Sequence, residues 1–284
     1  MLLLTGANGR TGRAVLNALI ARNVQVRVFI RKEEQWSSLQ ALGASEYVIG
    51  DMLDTESINK AINGCDRVVH IGPPMHAQEV KIVDDFIRAA KQHNVQHFVY
   101  YAVMHPLRRD VRHHALKLDA EEHIIDSGLP YTIIEPCRYM QHLEMIWPIV
   151  NEQGIHAMPF NVDVQFNVVD LFDLAEATAK VVAEPGHFYA TYELAGPESL
   201  SQTDMAAIIS DVIQKPVTAK AVPLDEMAAK AAAKGMNEDR VEQMRIMNGH
   251  YDHYGFLGNA NVLRWLLGRE PTAFRQYVQR IAAN

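Results

Sequence analysis

Three glycines near the start of the chain stand at a spacing with a chemical use. Gly6, Gly9 and Gly12, in the stretch TGANGRTG, lie between an apolar run at 2–5 and an amphipathic stretch at 11–22. Between a strand and a helix each has a role. Gly6 turns the chain sharply, Gly9 lets the backbone approach a pyrophosphate, and Gly12 lets the helix pack tightly on the strand. The pyrophosphate would meet the N–H groups and positive dipole end of a helix beginning near Thr11. Glycines also mark ordinary strand-to-helix turns, so the spacing informs only in this context. Arg31 and Lys32 follow the second apolar run, 24–30, where a carboxylate would accept a ribose 2′-hydroxyl. A guanidinium there grips a 2′-phosphate with two donors, which points to NADP rather than NAD. The alternative is a solvated basic pair. Arg10, inside the glycine loop, adds a second positive charge or is simply an exposed loop arginine.

A second group of residues could move a proton or hold a hydroxyl. His113 and Lys117 are one helical turn apart and share a face, and Glu121 follows Lys117 at the same spacing. An imidazole has the intrinsic pKa for acid catalysis near neutrality, although a histidine at a helix start also serves as a cap or a solvent-facing residue. His105 competes for that role because it follows the apolar run 97–103. Met75, Met104, Tyr139, Met140 and Trp147 are candidate walls of an apolar cleft for a flat acceptor, or core filling. His250 and His253 lack an acidic or sulfur neighbour, so they read as surface residues and no metal is expected.

The elements that must position these groups alternate. Strand-like runs at 2–5, 24–30, 46–49, 67–71, 97–103 and 131–135 are separated by amphipathic stretches at 11–22, 55–63, 78–93 and 113–127. That order implies an α/β protein with a parallel, doubly wound sheet, which binds ligands at the carboxyl ends of its strands. From Pro136 the pattern changes, to a helical run RYMQHLEMIWPIV at 138–150 and then a loop containing Gly154 and Pro159. Residues 1–136 are expected to form one domain, 137–167 and 187–284 a smaller, mostly helical substrate domain, and 168–186 a return to the first. Asp170 and Asp173 stand near a helix start, where carboxylates favour the dipole. TYELAGPESLS at 191–201 reads as a strand, a turn and a capped helix start, and helices at 202–214, 224–234 and 238–249 with a short strand in PVTAKAV complete the second half.

Composition sets limits. Lys and Arg number 27 against 34 Asp and Glu, a formal charge of −7, with no long basic run to track a phosphate backbone, so direct nucleic-acid binding is not expected. Cys65 and Cys137 lie in no Cys-x-x-Cys or histidine-spaced pattern, which fits a reducing cytoplasm. No apolar run reaches the roughly 18 residues a membrane span needs, and the opening MLLLTG is too short for a signal peptide.

Taken together, TGANGRTG at 5–12, Arg31, GD at 50–51, IGPP at 71–74 and GLPYTIIEPCRYMQHL at 128–143 resemble the NmrA-like branch of the atypical short-chain dehydrogenases. So does YGFLGNANVLRWLLGREPTAF at 254–274. The resemblance implies a Rossmann domain binding NADP(H) and a substrate domain built from C-terminal segments. It implies that Gly6, Asn8, Gly9 and Gly12 cradle phosphates and that Arg31 holds the 2′-phosphate. Asp51 and Met52 would meet the adenine; Ile71, Gly72 and Pro73 would flank the ribose, with Tyr139 also on the cofactor side. Ordinary short-chain dehydrogenases pair a lysine with a tyrosine four residues earlier and a strand-end serine. Here Lys117 fits the lysine, as a ribose anchor or as the partner of Glu121, but His113 replaces the tyrosine and the strand end reads Ala102, Val103, Met104. Two functions follow: an NADPH-dependent reductase of a small conjugated acceptor such as a quinone, where water can supply the proton, or a non-catalytic NADP(H) sensor acting through a protein partner.

Overall fold

The computed structural model describes residues 1–283. The first half alternates strand and helix: β1 (Leu2–Leu4), α1 (Arg10–Ala21), β2 (Val26–Ile30), α2 (Trp36–Gln40), β3 (Glu46–Ile49), α3 (Thr55–Ile62), β4 (Arg67–His70), α4 (Glu79–Gln92), β5 (His97–Tyr101), α5 (Arg112–Asp126) and β6 (Tyr131–Pro136). Only α2 was not anticipated. There follow β7 (Arg138–Tyr139), a 3₁₀ stretch at Met140–Met145, α6 (Trp147–Gln153), β8 (Ile155–Met158), β9 (Phe166–Val169), α7 (Leu171–Ala183), β10 (Ala190–Leu194) and β11 (Ser199–Leu200). The chain closes with α8 (Gln202–Ile213), β12 (Thr218–Ala221), α9 (Leu224–Ala233), α10 (Glu238–Tyr254), α11 (Asn261–Leu267) and α12 (Phe274–Ala282).

Seven strands form one sheet in the order β10-β6-β5-β4-β1-β2-β3. The pairs β1·β2, β1·β4, β2·β3, β4·β5 and β5·β6 are parallel, as strand–helix–strand crossovers require. The order reverses between β1 and β4, where open α/β sheets form a crevice at their carboxyl ends. β1 and β5 are buried along their whole length, which explains their unbroken apolar runs. Helix α4 shows why the layers adhere. Among its buried residues, Glu79, Ile82, Val83, Phe86, Ala89 and Ala90 recur at three- and four-residue steps, with Asp85 and Ile87 buried beside them, and Phe86 meets the Phe29 ring edge-on at 6.4 Å.

The chain divides into two compact units. One comprises Met1–Arg108, His114–Glu135 and Leu174–Tyr192, so the segment that comes back to it is 174–192, against the expected 168–186. The other takes Arg109–His113, Pro136–Asp173 and the chain from Glu193 onward. Within the second unit β9 pairs with β7 in parallel and with β11 antiparallel, and β12 pairs with β8. Of the run 138–150, expected to be helical, residues 138–145 form β7 and the 3₁₀ stretch, and α6 begins only at Trp147. Asp170 is buried, capping the Phe172 N–H at 3.1 Å and pairing with Arg280 at 2.7 Å; Asp173 is buried and pairs with Arg269 at 2.8 Å. His250 is not a surface residue: its side chain is 11% exposed and faces Asp110 at 3.4 Å. No helix of the described residues is long and apolar enough to cross a membrane.

Candidate functional site: the carboxyl edge of the parallel sheet

The glycine loop leaves β1 and turns at once. Gly6 sits at φ +62°, and a Cβ there would stand 2.7 Å from the Ile71 carbonyl, so the position needs a residue without one. The Gly9 N–H closes the turn on the Gly6 carbonyl at 2.9 Å. Gly12 is held by its surroundings, since a Cβ would fall 2.2 Å from the Gly6 carbonyl oxygen. Gly9 differs from both. It is exposed, and the nearest atom to a Cβ there is the Gly6 oxygen at 3.3 Å. As N-cap of α1 it offers no side-chain oxygen to the first turn, which holds no acidic residue. An anion arriving at this helix end would find N–H donors without a carboxylate to compete.

Two residues that sequence reasoning passed over brace the loop. The Thr5 hydroxyl, fully buried, accepts the Ile71 N–H at 2.9 Å and reaches His70 Nδ1 at 3.1 Å, tying the ends of β1 and β4 together. Arg13 Nη2 donates to Asn8 Oδ1 at 2.6 Å and to Ser38 Oγ at 2.8 Å, so the Asn8 amide is already positioned. Arg10 is exposed and Thr11 half-buried. Past β2, Arg31 and Lys32 are both exposed; their backbone N–H groups are held by Gln35 Oε1 at 3.0 and 3.3 Å, and the Arg31 guanidinium has no partner among the described residues. Because β1 and β2 are adjacent and parallel, the glycine loop and Arg31 leave the same edge of the sheet. Asp51 is exposed and uses Oδ1 on the Leu53 N–H at 2.9 Å; Met52, Ile71, Gly72 and Pro73 are half-buried.

Lys117 is buried, not part of a surface pair with Glu121. Its ammonium donates to Glu79 Oε1 at 2.7 Å and to the Tyr101 carbonyl at 2.9 Å, and lies 4.8 Å from the centre of the Tyr100 ring. The Tyr100 hydroxyl donates to the same Glu79 oxygen at 2.7 Å. Burial pushes the Glu79 carboxyl up, but the Lys117 ammonium, its hydrogen bond, the His70 charge and Tyr100 outweigh this and hold it below its ordinary value. Burial, then the Glu79 carboxylate, pushes the Tyr100 phenol well above its usual range. Gly72 makes room for this group: a Cβ there would sit 3.1 Å from Glu79 Oε1. Two of the three ammonium N–H groups are used, at the carboxyl end of β5, and one remains.

The other candidates fall into place or out of it. His113 is half-buried, whereas its neighbour His114 is the buried imidazole, with Nδ1 2.9 Å from the His105 carbonyl oxygen. Met75 and His105 are half-buried and adopt φ +51° and +60°, a left-handed backbone that non-glycine residues avoid. Met104 is fully buried, so it packs the core and presents no exposed wall. In the second unit, Tyr139 stacks on His142 with ring centres 5.8 Å apart and planes 9° apart, Met140 is buried beside it, and Trp147 is half-buried. Glu121 is also buried. Its carboxyl is raised to about 8 by burial first and then by the Glu135 carboxylate, with Lys117 acting in the opposite sense.

A parallel sheet whose order reverses beside a glycine-bearing strand-to-helix turn defines an α/β protein of the doubly wound, nucleotide-binding architecture. The chain belongs to the NmrA-like family, whose model matches residues 1–278. It is 24% identical to an NAD(P)H azoreductase of Xenophilus azovorans, over 100% of this chain and 98% of that protein. Its fold matches that of an NADPH-dependent quinone oxidoreductase of Escherichia coli solved with NADPH, at TM-score 0.86 and 23% identity, covering 99% of this chain and 100% of that one. It also matches the triphenylmethane reductase of a Citrobacter species solved with NADP(H), at TM-score 0.84 and 24% identity, over 99% of each chain.

Proposed function

We propose that this chain is an NADPH-dependent reductase that passes hydride to a small conjugated acceptor such as a quinone. The observation that carries the reading is the exposed, unpartnered Arg31 guanidinium at the same sheet edge as the open face of Gly9. The residues fit the group. Gly6, Gly9 and Gly12 shape a loop that admits a pyrophosphate against the α1 N-terminus, with Asn8, Arg10 and Thr11 along it, and Arg31 with Lys32 meets a 2′-phosphate. Asp51 and Met52 lie beyond β3 for the adenine, and Ile71 to Pro73 beyond β4 for the ribose.

Lys117 anchors a ribose hydroxyl through its remaining N–H, and Glu79 keeps the ammonium aimed by holding it from the side of α4. When bound, the nicotinamide supplies the hydride. The rest is positioning: the chain holds donor and acceptor planes together, and the proton comes from water. Met75 and His105, in left-handed backbone a few residues beyond β4 and β5, shape the acceptor side, and His113 is not required as an acid. The named relatives act on azo compounds, quinones or triphenylmethanes, which supports a conjugated acceptor. The test is oxidation of NADPH followed at its near-ultraviolet absorbance after adding a simple benzoquinone or naphthoquinone. Turnover lost in Lys117→Met supports the reading; NADPH binding without turnover across a quinone and dye panel favours a sensor that acts through a protein partner.

A further inference from the structure

One continuous run of hydrogen bonds joins the glycine loop to the turn after β2, all of it inside the first unit. On the loop side Arg13 holds Asn8 twice, Nε donating to the Asn8 carbonyl at 3.3 Å and Nη2 to Asn8 Oδ1 at 2.6 Å. The same Nη2 donates to Ser38 Oγ at 2.8 Å, and the Ser38 hydroxyl donates in turn to the Gln35 carbonyl at 3.1 Å. Gln35 closes the turn: its Oε1 accepts the Arg31 and Lys32 N–H groups at 3.0 and 3.3 Å, and its own N–H returns to the Lys32 carbonyl at 3.1 Å.

The direction of donation is fixed along the whole run. Both Nη2 hydrogens of Arg13 are used, one on Asn8 and one on Ser38, and the single hydroxyl hydrogen of Ser38 goes to Gln35. Arg13, Gln35 and Ser38 are half-buried, whereas Asn8, Arg31 and Lys32 at the two ends are exposed. A partly shielded middle therefore holds two solvent-facing ends. The strands do not need it, since β1 and β2 are already paired from Leu2↔Val26 to Leu4↔Val28. What the run fixes is the segments beyond them.

Two consequences bear on a nucleotide. Because Gln35 occupies the backbone N–H groups of Arg31 and Lys32, a phosphate arriving at this turn is left their side chains, and the placement of the turn decides where those point. The acceptors of Arg13 are neutral oxygens, so its charge stands undiminished between the glycine loop and the turn. We propose that Arg13 and Ser38 are positioning residues for NADP specificity: through Gln35 they lock the 2′-phosphate turn to the pyrophosphate loop, so that Arg31 and Lys32 stand preset for the second phosphate site of the same molecule. The inference rests on the NADPH reading above and extends it to two residues that need not touch the nucleotide.

The test measures NADPH and NADH affinity by nucleotide fluorescence in the parent, Ser38→Ala, Arg31→Ala and the double variant, with circular dichroism confirming that each is folded. Ser38→Ala is expected to lose about three- to tenfold in NADPH affinity, the effect of one neutral hydrogen bond, while NADH affinity stays within about twofold because NADH has no 2′-phosphate to aim at. Beside Arg31→Ala the same change should lower NADPH affinity by less than about twofold, since the group it aims is gone. A general loosening of the fold would instead weaken both nucleotides in both backgrounds. If Ser38→Ala does not fold, Ser38→Cys, whose thiol is a much weaker donor, carries the same expectations. The proposal is overturned if the folded variant binds NADPH as the parent does, if it loses NADPH and NADH affinity equally, or if its NADPH loss persists in full beside Arg31→Ala. A parent that binds NADH as well as NADPH, or binds neither, would overturn the NADPH reading and this inference with it.

Discussion

The Lys117 ammonium and the Glu79 carboxylate meet at 2.7 Å with side chains only 6% and 3% exposed, joining α5 to the first turn of α4 beneath the carboxyl edge of the sheet. A buried pair of this kind is expensive to break from one side, because the surviving charge keeps its desolvation penalty. Glu79→Ala is therefore expected to destabilise the chain by about 3–5 kcal/mol in urea unfolding. The double variant Glu79→Leu, Lys117→Met should lose less than the sum of the single changes. Additive losses would show that the two groups act separately.

Glu121 gives the stability a basic limb. Its carboxyl is raised from 4.5 to about 8, by burial and then by Glu135, so the folded chain holds this proton more tightly than the unfolded chain does. The associated stabilisation is fully present below about pH 4.5 and is lost as pH rises through about 8. Melting temperatures measured across that window should fall with pH, and Glu121→Gln should flatten the fall. An unchanged slope in Glu121→Gln would place the titration elsewhere.

His70 acts in the opposite sense. Burial first, and Lys117 with it, lowers its imidazole from 6.5 to about 4 against the pull of Glu79, and its ring lies 8° from parallel with Tyr100. The unfolded chain takes up the proton first on acidification, so this stabilisation is present above about pH 6.5 and is lost as pH falls through about 4. Proton–nitrogen correlation spectra are expected to show His70 neutral at pH 6. A charged ring at that pH contradicts the buried environment.

The three glycines should separate into two kinds. Gly12→Ala puts a methyl 2.2 Å from the Gly6 oxygen and is expected to lower the melting temperature strongly. Gly9→Val meets only the Gly6 oxygen at 3.3 Å near its Cβ, so it should fold nearly as the parent while NADPH affinity drops at least about tenfold. Equal NADPH affinity in folded Gly9→Val would remove the pyrophosphate from this helix end.

What could be read in advance follows the range of the interactions concerned. The β1 to β6 alternation rests on runs of Val, Ile, Leu and Tyr whose periodicity is local, and every strand and helix expected there is present within a few residues. Gly6 and Gly12 were legible because their constraint is imposed by the adjoining turn. Glu79 was not singled out, because its partners Tyr100 and Lys117 lie 21 and 38 residues away and meet it only through β5 and α5. A signal existed, since Glu79 falls on the buried face of α4 with Ile82, Val83 and Phe86. Which of His113 and His114 turns inward was not resolvable from spacing alone, since adjacent residues on a helix differ by only about 100°. Met104 entered the core because its segment continues the buried end of β5.

The most direct test of the central claim is titration of the parent chain and Arg31→Ala with NADPH and with NADH, followed by nucleotide fluorescence. The parent should prefer NADPH, and Arg31→Ala should lose about ten- to a hundredfold in NADPH affinity while NADH affinity stays level, as the removal of one bidentate phosphate contact requires. Equal binding of the two nucleotides by the parent, or equal losses for both in Arg31→Ala, would contradict it.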